Sequence, residues 1–100
     1  MIIGTVIQQP GETLDYDIVY TPFFYSHTIN AIDDSIKGDG FSVKVFPVGA
    51  VGVGFRVSDD RAKVWLSGGV SGVTYTVTIT MTSINNRIKE DEILMIVEEF

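Results

Sequence analysis

The feature that most constrains the fold of this sequence is a strictly alternating run over residues 73–82. Every second residue is apolar and every residue between is a threonine: VTYTVTITMT. Because successive side chains of a β-strand point to opposite faces of the sheet, this alternation predicts a strand with one buried and one solvated face. Tyr75 and Ile79 are therefore expected in the core, and the threonines are expected on the outside, where they suit a solvated strand.

Apolar runs bounded by turn-forming residues recur through the rest of the chain. Strands are predicted at 2–8, 14–21, 41–48 and 88–100, and 55–67 is predicted to be a hairpin that turns at Ser58, Asp59 and Asp60. Strands at such short spacing indicate a β-sandwich or barrel. The last segment also contains good helix formers, but the short turn at 84–87 favours its pairing with the threonine-bearing strand.

Three stretches have weaker patterns. Residues 24–32 are a weaker strand candidate, and 33–40, rich in Asp and Gly, is predicted to be a loop. The stretch GAVGVG at 49–54 carries three glycines in six residues. It is predicted to be a mobile loop or a bulged connection, since glycine weakens a strand interior.

Composition excludes several classes of protein. A chain of 100 residues with 45% apolar residues predicts a single globular domain over 1–100. The absence of cysteine excludes disulfides and thiol-based chemistry. A net charge of −6, with no cluster of basic residues, argues against nucleic acid as a partner. No apolar run reaches the roughly 18–20 residues of a membrane-spanning helix, and the N-terminus lacks the basic region of a secretory signal.

No group of residues predicts catalysis. The single histidine, His27, has Ser26 and Thr28 as neighbours, which point to the opposite face of a strand and cannot form a nucleophile–base pair with it. The acidic residues cluster at turns without the spacing of a calcium loop, and SGGVSG lacks the lysine of a phosphate loop. We therefore expect no catalytic residue, cofactor or metal ion.

Apolar residues in positions that should be polar are more informative. If Ile93 and its alternate neighbours pack inward, Leu94 and Ile96 face outward, and Trp65 is likewise expected on the outer face of its strand. Exposed Trp, Leu and Ile on strands are typical of protein interfaces. The alternative is that these strands are covered on both faces by their own chain.

Two stretches resemble a known family. VWLSGGVSGVTYTVTITMTSINNR at 64–87 and TLDYDIVYTPFFYSHTI at 13–29 are similar to motifs of small tailed-bacteriophage proteins known as fibre–tail adaptors. The resemblance covers 10–32 and 62–97. The matching positions are Leu14, Asp15, Tyr16, Ile18, Thr28, Ile29, Trp65, Leu66, Ser67, Gly68, Gly69, Gly72, Tyr75, Val77, Thr78 and Arg87. Tyr20 stands where the family usually has Trp, Asn86 replaces a Gly, and His27 replaces an acidic residue.

The resemblance implies an immunoglobulin-like antiparallel β-sandwich of about seven strands and a structural role without enzymatic activity. It implies a virion protein, made in the bacterial host cytoplasm, that links the tail tube or hub to fibres in several copies around the tail. Nucleic acid and membrane are not expected partners. Residues 1–7 and 49–54 have no clear counterpart in the family, so we expect Ile2, Ile3, Val51 and Val53 to make contacts of this protein's own, with 1–9 as a partner-contacting N-terminal strand.

Two alternatives stay open at this point. A head-decoration or other capsid-bound immunoglobulin-like protein would use the same apolar surfaces against a different lattice. A carbohydrate-binding module would need a flat row of exposed aromatic rings, for which Phe23, Phe24 and Tyr25 form the densest cluster.

Overall fold

Seven strands and one short helix make up the part of the chain that the computed structural model describes, residues 1–25 and 34–99. The elements are β1 (Ile2–Gln8), β2 (Thr13–Val19), α1 (Thr21–Tyr25), β3 (Ile36–Phe46), β4 (Val51–Val57), β5 (Arg61–Gly68), β6 (Thr74–Ser83) and β7 (Ile88–Val97). His27 and the rest of 26–33 lie outside the described residues, as does the side chain of Tyr25.

The strands form two sheets that pack as a sandwich. Sheet A has the order β1-β7-β6-β3, and sheet B has the order β2-β5-β4. Neighbours β7-β6-β3 and β2-β5-β4 reproduce the G-F-C and B-E-D orders of the immunoglobulin fold. The predicted all-β sandwich is therefore confirmed.

One pair departs from the expected antiparallel arrangement. β1 runs parallel to β7, whereas the other paired strands of the two sheets are antiparallel. The turn between Gln9 and Glu12 carries the chain from sheet A to sheet B, so β1 does not pair with β2. It instead extends sheet A beside the last strand, in the same direction.

The alternation that defined β6 is confirmed in the core. Tyr75, Val77, Ile79 and Met81 are buried, and the threonines lie on the outer face. The core also contains inward-facing side chains from β3 and β7, which lie on either side of β6, and from sheet B: Ile18, Phe41, Ala62, Val64, Leu66, Ile93, Met95 and Val97.

The turn between β5 and β6 is held by a hydrogen bond to Tyr75 and contains a glycine at position 69. The backbone amide of Val70 donates a hydrogen bond to the Tyr75 hydroxyl at 2.9 Å, which resembles the tyrosine corner of immunoglobulin-like domains. Gly69 has a φ of 96°, and a Cβ there would lie 2.7 Å from a methyl group of Val97. Glycine is required because the turn packs directly on the core.

Several predicted boundaries were wrong. Val51–Gly54 belong to β4 and pair with β5, so the glycines of this segment do not prevent strand formation. β3 begins at Ile36, inside the predicted loop, after which a register irregularity precedes Phe41. Phe24 lies in α1 rather than in a strand, because the chain turns at Tyr20 after β2. The ring of Phe24 enters the core.

Candidate interaction surfaces

The outer face of sheet A carries exposed or half-buried apolar side chains on three of its four strands. One row runs from Thr5 on β1 through Leu94 and Thr76 to Phe46 on β3, and the next row joins Ile7 to Ile96. We call Ile7, Phe46, Leu94 and Ile96 the sheet-A patch. Phe46 is 73% exposed and Ile7 is 54% exposed, whereas Leu94 and Ile96 are half-buried.

The sequence identified two of these four residues. Leu94 and Ile96 were predicted to face outward and do so. Phe46 and Ile7 were missed, although each occupies the outward position of its own alternating strand. The sheet order was needed to show that all four lie on the same face of sheet A. Val48, which follows β3, extends the apolar surface beside Phe46, where both line a shallow groove with Thr78.

Charged residues lie on the same face toward the start of β1. Glu92 pairs in register with Ile2, and its carboxylate lies 3.7 Å from the amino group of Met1. Ile2 and Ile3 are both exposed at a β-bulge in β1. They therefore extend the apolar surface along the β1 edge of sheet A. Their neighbour there is the carboxylate of Glu92, whereas Phe46 lies at the opposite edge of the sheet.

The outer face of sheet B holds Trp65 among charged residues. Trp65 lies between Asp15 and Gly54 in the register, and the Arg56 guanidinium lies 5.7 Å from the centre of its indole ring. The Lys63 amino group lies 3.2 Å from an Asp15 carboxylate oxygen. This hydrogen bond, with the charges of the neighbouring carboxylates, raises the pKa of Lys63 and keeps it positively charged.

Val51 and Val53 do not share this surface with Trp65. They pair in register with Gly68 and Leu66, so their side chains point to the inner side of sheet B. Val53 is nevertheless 38% exposed, because β4 is an edge strand. The predicted interface residues thus fall into three places: sheet A with Leu94, Ile96, Ile2 and Ile3, the outer face of sheet B with Trp65, and the β4 edge with Val51 and Val53.

The aromatic cluster after β2 is part of the fold. Phe24 is only 4% exposed, and the Arg87 guanidinium lies 4.2 Å from the centre of the Phe23 ring. Arg87 also donates a hydrogen bond to the carbonyl of Phe23 at 2.8 Å and lies 3.2 Å from a carboxylate oxygen of Asp34. These contacts fix α1 against the end of sheet A, so Phe23 and Phe24 do not form a flat exposed row.

The described residues contain no group of three or more His, Cys, Asp or Glu that could hold a metal ion. Within the same residues, no helix has the length and apolar character needed to cross a membrane.

Comparison with protein families matches the chain over residues 8–96 to Gp77, the podophage GP4 fiber-tail adaptor protein. The chain belongs to this family. A fibre–tail adaptor is a structural protein of the phage tail, and its family points away from enzymatic activity. The search of curated proteins found no match.

The family match begins at the last residue of β1. Ile2, Ile3, Thr5 and Ile7 therefore lie outside the matched part of this adaptor, whereas Phe46, Trp65, Leu94 and Ile96 lie inside it.

Proposed function

We propose that this adaptor joins a tail tube or hub protein to a tail fibre through two separate non-covalent interfaces on opposite outer faces of the sandwich. One is the sheet-A patch, and the other is centred on Trp65. The observation that carries the proposal is that both outer faces of the sandwich have apolar side chains among their polar residues. The name of the family describes a protein that joins the fibre to the tail. In a two-layer domain the core lies between the sheets, so apolar side chains on the outer faces do not contribute to that core.

The sheet-A patch has the composition of an interface centre. Phe46 and Ile7 are mostly exposed, and burying such side chains completely contributes about 1.5–3 kcal/mol each. Thr76 on β6 lies between Leu94 and Phe46, and Glu90 and Glu92 follow along β7. A few exposed anchors of this kind can supply most of the binding free energy of an interface.

Trp65 has a different setting. The neighbouring residue on β4 is Gly54, which has no side chain, and Arg56 of the same strand lies over the indole ring. Arg56, Lys63 and Asp15 form a charged rim around it. Tryptophan is a favoured anchor at interfaces, and the rim would orient the partner and set the rate of association.

Several copies of the adaptor around the tail would bind a fibre or tail assembly more tightly together than one copy binds alone. Once one copy is bound, its neighbours bind the same fibre or tail assembly at a high effective concentration. Ile2 and Ile3 on β1 and Val51 and Val53 on β4 are proposed to contact partners or neighbouring copies at the sheet edges. The net charge of −6 argues against nucleic acid as a partner.

The proposal is tested by separating the two partners. Purified tails and purified fibres of the same phage are each mixed with the wild type, with Leu94→Ser/Ile96→Ser and with Trp65→Ala, and binding is measured by co-sedimentation. We expect each variant to lose one partner and retain the other. The control is Thr80→Ala, on the same face as Leu94 but outside the patch. Loss of both partners by each variant, or of neither, contradicts the proposal of two interfaces.

A further inference from the structure

The first strand has a free edge unlike the other edges of the two sheets. Among the described residues, β1, β3, β2 and β4 are the outermost strands, and each has a paired strand on one side only. β2 carries Asp15 and Asp17, β3 carries Lys44 and other charged residues, and β4 carries Arg56. β1, with the sequence IIGTVIQ, carries no charged residue and no proline. Charged residues and prolines are the usual devices that keep an edge strand from pairing with another chain.

The backbone direction shows which groups of β1 are available. The carbonyl of Gln8 accepts a hydrogen bond from the amide of Glu98 at 3.0 Å, so the polar backbone groups of Gln8 point toward the C-terminal segment beyond β7. Those of alternate residues point the other way. The amides and carbonyls of Thr5 and Ile7 therefore point to the open side of sheet A, in a stretch where the register with β7 is unbroken.

We propose that β1 pairs with β1 of a second copy of this chain, antiparallel and near Thr5, across a twofold axis. The two four-stranded sheets would then form one continuous eight-stranded sheet. This inference goes beyond the proposed joining of fibre and tail and does not depend on it. The hydrogen bonds lie in the plane of the sheet, so the pairing leaves the outer faces open to other partners.

A second copy is the occupant that the composition of this edge fits. A twofold axis places two copies of the same strand beside each other. Pairing β2 with itself would therefore bring aspartates close to aspartates, and pairing β3 with itself would bring lysines close to lysines. Pairing β1 with itself brings together Thr5, Ile7 and Ile3, which are uncharged, β-branched and exposed. It also brings the Ile7 ends of the two sheet-A patches closer to each other.

The size and charge of the contact predict how the dimer behaves. The β-bulge at Ile3 limits regular pairing to the second half of β1, so the buried area is small and the dimer is in equilibrium with the monomer. Each copy carries a net charge of −6, so the two repel each other. Added salt screens this repulsion and should strengthen the dimer. Binding of a basic partner segment would instead weaken with salt.

The first test is sedimentation equilibrium of the full chain over a hundredfold range of concentration, at low and moderate salt. We expect the mass to rise from the 11.0 kDa monomer toward twice that value, and to rise at lower concentration when salt is added. Thr5→Pro removes an amide on the open side without touching the β1–β7 ladder, and it should weaken the dimer at least tenfold. The matched control is Thr5→Val, which keeps the amide and the β-branched shape and should dimerise as the wild type does.

Thr5→Lys is the second variant, in case proline disturbs β1. It retains the backbone and places like charges opposite each other, so it should also give monomers. A wild type that stays monomeric throughout overturns the proposal. So does a dimer that survives both Thr5→Pro and Thr5→Lys with unchanged affinity.

A cross-link locates the contact, because the chain has no cysteine of its own. Thr5→Cys places one thiol per chain near the proposed axis, within the distance that a disulfide can span between paired strands. The control is Ser42→Cys, an exposed position on β3 at the opposite edge of the same sheet. Under mild oxidation we expect Thr5→Cys to form linked dimers at least tenfold faster. Equal rates for the two variants overturn the proposal.

Discussion

Gln8 and Leu66 join the two sheets by a buried hydrogen bond. The side-chain amide of Gln8 donates to the carbonyl of Leu66 at 3.1 Å, and its carbonyl oxygen accepts a hydrogen bond from the Tyr16 hydroxyl at 2.7 Å. Gln8 is fully buried at the end of β1. It therefore fixes β1 to sheet B as well as to β7, by contacts that no apolar side chain could replace.

Replacement of Gln8 should destabilise the domain. Gln8→Ala removes a fully buried side chain and leaves the Leu66 carbonyl and the Tyr16 hydroxyl without this partner, so we expect a loss of about 2–4 kcal/mol in the free energy of unfolding. Denaturant unfolding measures it. Tyr16→Phe, which removes only one of the two hydrogen bonds, should cost about 1–2 kcal/mol. A loss below about 0.5 kcal/mol for Gln8→Ala would mean that β1 is not fixed through this residue.

The two faces of β6 should differ sharply in their response to truncation. Tyr75 and Ile79 are buried, so Tyr75→Ala and Ile79→Ala should each cost about 2–5 kcal/mol by creating a cavity. Thr80→Ala, on the outer face of the same strand, should change stability by less than about 0.5 kcal/mol. Thermal or denaturant unfolding of the three variants gives the comparison. Similar losses on both faces would contradict the assigned orientation of β6.

How far the sequence predicted the fold depends on the kind of signal. The period-2 pattern of β6 placed Tyr75 and Ile79 correctly, because one solvated face and one buried face leave an unambiguous alternation. The same reasoning was wrong for Val51–Gly54, where glycines hid a strand that is held by its pairing with β5. Pairing between distant strands is a property of the fold and leaves little trace in a short segment.

The candidate surfaces show the same limit. The outward positions of Leu94 and Trp65 followed from their own strands. The neighbourhood of Leu94 did not, because Phe46 is distant in sequence and reaches the same row only through β6. Val53 was expected to contact a partner without an assigned face, and only the register showed that it points to the inner side of its sheet.

Trp65 and Leu94 should matter more for assembly than for stability. Both are half-buried on outer faces, so we expect Trp65→Ala and Leu94→Ser to lower the free energy of unfolding by no more than about 1.5 kcal/mol. Each should weaken attachment to isolated tails or fibres at least tenfold, as anchors of an interface do. Melting of the isolated domain and co-sedimentation give the two values. Losses of stability as large as those of Ile79→Ala would assign these residues to the core.

Tyr20 provides a prediction with a defined pH dependence. It is 2% exposed, and its hydroxyl has no hydrogen-bond partner among the described residues. Burial, with the negative charge of Asp91 as a smaller cause, raises the pKa of Tyr20 above its ordinary value of 10. At high pH the unfolded chain loses a proton that the folded chain keeps. Tyr20 therefore contributes no pH dependence below pH 10, and its contribution to stability falls as the pH rises further, by at most about 1.4 kcal/mol per pH unit.

Tyr20→Phe should remove that alkaline loss. At pH 7 we expect the variant to be as stable as the wild type or up to about 1.5 kcal/mol more stable, because a buried hydroxyl without a partner costs free energy. Denaturant unfolding of both proteins from pH 7 to pH 11 gives the difference, in which the titration of Tyr16 and Lys63 cancels because both proteins contain them. The difference should be constant up to pH 10 and then grow in favour of the variant. A variant that is less stable by more than about 1 kcal/mol at pH 7 would show that the Tyr20 hydroxyl makes a stabilising hydrogen bond.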